Sequence, residues 1–218
     1  MSVVKVQVAK DNSGAMREAA QTRATEVFES AVIGLQEDFE PHPVTIEIDG
    51  GIDSDNISNT LPGTQYVPKN LFSFIGFEAA DKPTEVIRES MSVESPIGPK
   101  IRYVRKEVAS GNARFRFEVK APDKAKIYKR TRMPWAKGMS WAEKVESGIP
   151  GFGYFMARFM GDPSRSGGGV QAKDRRGRLQ RVRDEEYEPP EGGYLTGIFT
   201  RFIDQVRSYA KGGLRRRF

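Results

Sequence analysis

Apolar and polar positions along the chain fall into stretches with a clear period and stretches without one. In VVKVQVA (Val3–Ala9), Val4, Val6 and Val8 alternate with Lys5 and Gln7, and this period of two predicts a strand. DNSG (Asp11–Gly14) predicts a turn with a capping residue. From about Ala15 to Asp38 the apolar positions are Met16, Ala20, Ala24, Val27, Phe28, Ala31, Val32 and Leu35. They step by three and four and form one stripe, with Glu18, Arg23, Glu26 and Glu37 off it, so a long helix is expected. Pro41 and Pro43 close it, because proline disfavours helix at and before itself. VTIEI (Val44–Ile48) reads as a second strand and DGGIDSDN as a turn.

Further along, LFSFIGF (Leu71–Phe77) is a short apolar run expected to be buried, and PTEVIRESM (Pro83–Met91) a short helix with proline in its first turn. IRYVRKEV (Ile101–Val108) and ARFRFEVK (Ala113–Lys120) flank SGN. In the second run Phe115, Phe117 and Val119 alternate with Arg114, Arg116, Glu118 and Lys120, which predicts a β-hairpin with one wet face. KAKIYKRT (Lys124–Thr131) reads as a third strand of this region. The pattern breaks down from 132 to 193 and recovers in Leu195, Ile198, Phe199, Phe202, Ile203, Val206 and Tyr209, a helical stripe closed by Gly212 and Gly213.

These elements predict an α+β fold: a long N-terminal helix and a C-terminal helix packed on a mainly antiparallel sheet, with a long loop-rich insertion. The corresponding division is an α+β core over 1–131, an aromatic and basic arm over 132–193, and a C-terminal helix with a basic tail over 194–218.

Composition changes this picture in four ways. Apolar residues make up 38% of the chain, so much of it is expected to be loop or interface. The chain has no cysteine, which excludes disulfides, zinc–thiolate sites and a cysteine nucleophile. The opening MSVVKVQVAKDNSG lacks the apolar core of a signal peptide, and no run has the length of a membrane span. The net charge of +6 divides unevenly. Residues 1–109 hold 11 basic and 17 acidic side chains, and residues 110–218 hold 24 and 12, so the halves carry −6 and +12. Such a dipole suits a protein placed between unlike partners or facing nucleic acid on one side.

Candidate chemistry is sparse. The only histidine, His42, stands between two prolines and reads as a loop residue. DGGIDSDN departs from a calcium loop, since its fifth position would be Ile57. SRSGGGVQAK (Ser164–Lys173) lacks the order of a phosphate-binding loop and reads as a linker. Asp184, Glu185, Glu186 and Glu188 lie in a polar run with nothing to split their pKa values. No catalytic, cofactor or metal residue is assigned, and the expectation is a protein without enzymatic activity. Lys173, Arg175, Arg176, Arg178, Arg181 and Arg183 form a basic arm suited to phosphates or to an acidic neighbour. It lacks the interleaved aromatics of a single-strand stacking platform. Arg215, Arg216 and Arg217 add a second basic patch.

Both tryptophans fall in PWAKGMSWAEKVESGIPGFGYFM (Pro134–Met156). SWAE (Ser140–Glu143) is a capping box that predicts a short helix from Trp141, stopped at Gly148 before Pro150. Trp135, Trp141, Phe152, Tyr154, Phe155 and Phe159 put a large aromatic payload on short, punctuated structure. It either folds back over the end of the core or forms a subunit interface, where such residues are enriched.

The order Trp135, Gly138, Ser140, Trp141, Gly148, Ile149, Gly151, Gly153, then Ser164 to Gln171, then a terminal amphipathic helix, resembles structural proteins of tailed bacteriophages, nearest the neck or tail-completion group. The resemblance implies an α+β protein that sits as a ring at the head–tail joint and does no chemistry. It implies as partners other copies of itself and other head–tail connector or tail proteins, with possible contact to packaged DNA, and a place in the virion after assembly in the host cytoplasm. No membrane and no cofactor is implied. A basic nucleic-acid-binding accessory protein is the alternative from another class.

Overall fold

In a computed structural model, residues 2–9, 13–61, 70–109, 112–134, 138–148, 156–157, 170–171 and 193–212 are described. The chain is α+β and divides into two compact units, each discontinuous in sequence: 1–38, 89–123 and 198–218 form the first, and 39–88 with 124–197 the second. These units do not follow the linear division 1–131, 132–193 and 194–218, because the sheet takes its strands from both ends of the first stretch.

The first unit is a helix layer on a sheet. Strand β1 (Ser2–Ala9), β2 (Lys100–Ala109) and β3 (Asn112–Lys120) form an antiparallel sheet in the order β1–β3–β2. The register sets Val4 and Tyr103 opposite Phe117 from the two sides, and a bulge at Val104 then brings Arg105 opposite Arg116. The alternation in ARFRFEVK is met: Phe115, Phe117 and Val119 are buried. Helix α1 (Ser13–Phe39) covers that face, with Ala20 and Ala24 against Phe115 and Phe117, and Met16, Ile101 and Tyr103 at the margin. Two small residues on the helix let it approach the phenylalanines closely. The Arg17 guanidinium lies 4.7 Å above the Tyr103 ring.

Helix α7 (Leu195–Gly212) buries Ile198, Phe199, Phe202 and Val206, as its stripe predicts. Phe202 meets Phe28 of α1 edge to face at 6.4 Å, and Arg201 Nε pairs with Asp38 at 3.0 Å. The Gln205 side-chain amide lies against the bare backbone of Gly34, where a Cβ would meet it.

The second unit is built from short helices: α2 (Pro43–Asp49), a 3₁₀ turn (Gly51–Asp53), α3 (Leu71–Ile75), α5 (Lys124–Arg130) and α6 (Trp141–Glu146). Most of α4 (Glu85–Ser90) and the first turn of α7 belong to it as well. Met156–Ala157 (β4) and Val170–Gln171 (β5) form a small antiparallel pair. Leu71 to Phe77 are all buried, as the apolar run predicts.

Two expected strands are helices. A strand over Val44–Ile48 would turn Val44, Ile46 and Ile48 to one side. Instead Ile46 is 43% exposed while Val44, Thr45, Glu47 and Ile48 are buried, which is a helical face. Pro43 starts that helix, and His42 Nδ1 accepts the Val44 N–H at 3.2 Å. His42 stays in the loop ahead of the helix, as expected, but it is buried there as the N-cap and packs against Tyr194. The second is Lys124–Thr131. There the Thr131 N–H donates to the Ile127 carbonyl at 2.9 Å, and Ile127 alone of α5 is fully buried. In both, five to eight residues are too few for a period to discriminate.

Candidate functional site

Three arrangements bear on function: an arginine hub, a set of buried polar groups, and the outward face of the sheet.

Arg88 projects from α4 into three carboxylates. Its Nε and Nη2 donate to the two oxygens of Glu40 at 2.7 and 2.9 Å, Nη2 also to Asp49 at 2.7 Å, and Nη1 to Glu85 at 2.8 Å. Its guanidinium lies 5.5 Å above the Phe39 ring. The hydrogen bond from Arg88 holds the Glu40 carboxyl below its usual range, and the Glu40 carboxylate in turn raises the arginine's pKa. The hub borders a cleft of about 550 Å³ that is also lined by the segment Ala79–Glu85. Every edge of the guanidinium is already occupied, so Arg88 is a clamp between α2, α4 and the end of α1 rather than a receptor for an anion.

Glu47 is fully buried and accepts two main-chain donors, the Leu71 N–H at 2.6 Å and the Ser58 N–H at 2.8 Å. Burial pushes its pKa up against the opposing pull of those bonds. Asn70 donates to the carbonyls of Gly51, Ile52 and Ser54, and its Oδ1 accepts from the Ser73 N–H at 2.9 Å, capping α3. These groups satisfy the backbone of a loop-rich unit, and their polar atoms face main chain rather than an open site. Among the described residues no cluster of three or more His, Asp or Glu side chains is arranged to hold a metal ion. No described helix is long and apolar enough to cross a membrane.

The outward face of the sheet is strongly cationic. On β3 it carries Arg114, Arg116, Glu118 and Lys120, and on β2 Lys100, Arg102, Arg105 and Glu107. Arg102 pairs with Glu118, Arg105 Nη2 with Glu107 at 2.7 Å, and Lys120 reaches Glu118 at 4.0 Å. The Arg102 hydrogen bond holds the Glu118 carboxyl low. Six cations thus face two carboxylates. Register places Lys5 and Arg105 on either side of Arg116, a row of three cationic positions across the strands. The buried Arg116 Nε has no acceptor. Like charges directly opposite one another cost sheet stability, so the Arg105–Arg116 pair is unfavourable to the sheet that carries it.

Of the residues expected at an interface, only Trp141 is described. It is 1% exposed, held 5.8 Å from Phe77 and 6.3 Å from Tyr194, so within one chain it is a core side chain of the second unit and offers no surface to a neighbour. The serine of the capping box acts as expected: Ser140 Oγ accepts the Glu143 N–H at 3.0 Å. Trp135, Phe152, Tyr154, Phe155 and Phe159 lie outside the described residues, as do Lys173, Arg175, Arg176, Arg178, Arg181 and Arg183. The sheet face was visible in the alternation of ARFRFEVK as a wet side. Its charge density was not, because it appears only when β2 and β1 are laid beside β3.

Comparison of the chain with protein-family models, with curated proteins and with solved structures found no match.

Proposed function

We propose that this chain is a non-enzymatic structural protein of a tailed-phage virion, built as a ring into the head–tail joint. The observation that carries the reading is the first unit: a long N-terminal helix laid on an antiparallel sheet through Ala20, Ala24, Phe115 and Phe117, with the C-terminal helix against it at Phe28 and Phe202. That is the arrangement implied by the resemblance to neck and tail-completion proteins. The polar groups of the second unit support it, since Arg88, Glu47 and Asn70 are spent on internal contacts. In this reading the ring closes through heterologous contacts, one patch meeting a different patch on the next copy. Other connector or tail proteins flank it, and the arginines of the 173–183 arm meet neighbours or packaged DNA.

Gold labelling of a tagged chain in purified particles tests the assignment. Label at the head–tail joint supports it. Label spread over the head or along the tail, or none on the particle, contradicts it.

A second reading, a nucleic-acid-binding accessory protein, is favoured by the cationic sheet face. It predicts DNA binding that weakens steeply with salt, because phosphate contacts release counterions. Absence of a DNA mobility shift at low salt removes it.

A further inference from the structure

The two sides of the first unit carry opposite charge. On α1, Glu18, Thr22, Glu26, Glu29, Ile33 and Glu37 recur at steps of four, four, three, four and four, and all are exposed. Ala20 and Ala24, which touch the sheet, lie on the other side of the helix, so this acidic stripe faces away from the sheet. Glu26 pairs with Arg23 at 3.3 Å, whereas Glu18, Glu29 and Glu37 carry no ion pair among the described residues. On the far side of the same layer, the outward sheet face carries Arg102, Arg105, Arg114 and Lys120, all exposed, and the partly exposed Arg116.

We propose that the outward face of the sheet docks on the acidic stripe of α1 in a second copy of this chain. Two patches on opposite sides of one layer cannot satisfy each other within a chain. Each copy therefore offers a basic face to one neighbour and an acidic face to another. Such a contact is heterologous and repeats with the same sense, giving a closed ring or an open filament according to the rotation between copies. This rests on the structural reading above and names the surfaces it would use.

Three features favour a protein partner over a nucleic acid. Glu107 pairs with Arg105 and Glu118 with Arg102, so the face carries both signs of charge rather than the unbroken row of cations that tracks a phosphate backbone. Each face has one large exposed apolar side chain, Val104 at the bulge (42% exposed) and Ile33 on the stripe (58% exposed), as the centre of a protein contact requires. The aromatic residue of β2, Tyr103, is turned inward against Phe117 at 5.7 Å, so among the described residues the outward face has no ring on which a base stacks.

The test uses the full chain with paired charge reversals. One variant carries Arg105→Glu and Arg114→Glu, the other Glu18→Lys and Glu29→Lys, with circular dichroism confirming that each folds. Self-association is measured by sedimentation velocity at low and high salt. Wild type associates and is weakened by salt. Each variant alone associates roughly a hundredfold or more weaker, because like charges now meet. An equimolar mixture of the two regains association, since the acidic sheet of one meets the basic helix of the other.

Wild type that stays monomeric at low salt overturns the proposal, as do variants that associate like wild type or a mixture that does not recover. Loss of DNA binding in the sheet variant with unchanged self-association would make the face a nucleic-acid surface instead. The outcome is separable from the virion assignment: charge-dependent association in a protein absent from particles keeps the contact and removes the assignment, and the converse result removes only the contact.

Discussion

The carboxylate of Glu146, at the end of α6, accepts the Leu195 N–H at 2.7 Å and the Thr196 N–H at 3.2 Å, 49 and 50 residues further along the chain. A helix start leaves its first N–H groups without partners, and here a side chain distant in sequence supplies the acceptor and a negative charge beside the positive end of the helix dipole. Gly193, at φ +75°, brings the chain into that position, and a Cβ there would come within 3.0 Å of the same carboxylate. Glu146→Ala is therefore expected to cost about 1–2 kcal/mol, the range of a lost N-cap. Glu146→Gln, which keeps one acceptor oxygen, is expected to cost less. Urea unfolding of the three proteins checks the order.

Trp141 separates a core role from a surface role. Buried between Phe77 and Tyr194, it is expected to cost about 3–5 kcal/mol when replaced by alanine, read as a lower denaturation midpoint. An unchanged midpoint with lost self-association would return it to the surface role that its sequence context suggests.

Gly98 is held close to the backbone. A Cβ there would stand 1.9 Å from the Ser92 carbonyl oxygen, a main-chain atom with no rotamer to escape into. Gly98→Ala is expected to cost roughly 1–3 kcal/mol through forced displacement of the 92–98 turn. Thermal unfolding measures it, with Gly14→Ala, where nothing lies within 4 Å, as the neutral control.

Glu47 and Glu40 are expected to tilt stability with pH in opposite directions. Burial raises the Glu47 pKa above its ordinary 4.5, so the folded state holds that proton more tightly than the unfolded chain. Stability from this group is greatest at and below the ordinary value and is lost as pH rises through the raised one. Arg88 lowers the Glu40 pKa, so its contribution is present above the ordinary value and is lost as pH falls through the lowered one. Glu47→Gln removes the first slope and leaves the second. It also turns an amide donor toward the Leu71 or Ser58 N–H, at a cost of about 1–3 kcal/mol. Stability against pH for wild type and Glu47→Gln is expected to differ most at acid pH and to converge as pH rises, and parallel curves would contradict the assignment.

The extent to which the fold was legible follows from the length of each pattern. The 27-residue α1 and the 18-residue α7 repeat their stripes often enough to define a face, and the alternation around Phe115, Phe117 and Val119 identifies the sheet's dry side. Ser140 with Glu143 marks the start of α6 locally. Val44–Ile48 and Lys124–Thr131 failed as strands because one turn of helix and a short strand present the same few apolar positions. The bonds that organise the second unit join distant residues, among them Thr45 with Tyr194 and Glu47 with Leu71, and no local pattern announces them. The charge of the sheet face likewise needs three strands in register before Arg116 is seen flanked by Lys5 and Arg105.

The proposed ring at the head–tail joint is tested by the copy number of this chain in gradient-purified particles, measured by quantitative mass spectrometry against a head protein of known number. A low, fixed number of copies per particle is expected, of the order of one closed ring. Hundreds of copies would place the chain in the shell or tail tube, and absence from the particle would contradict the structural role altogether.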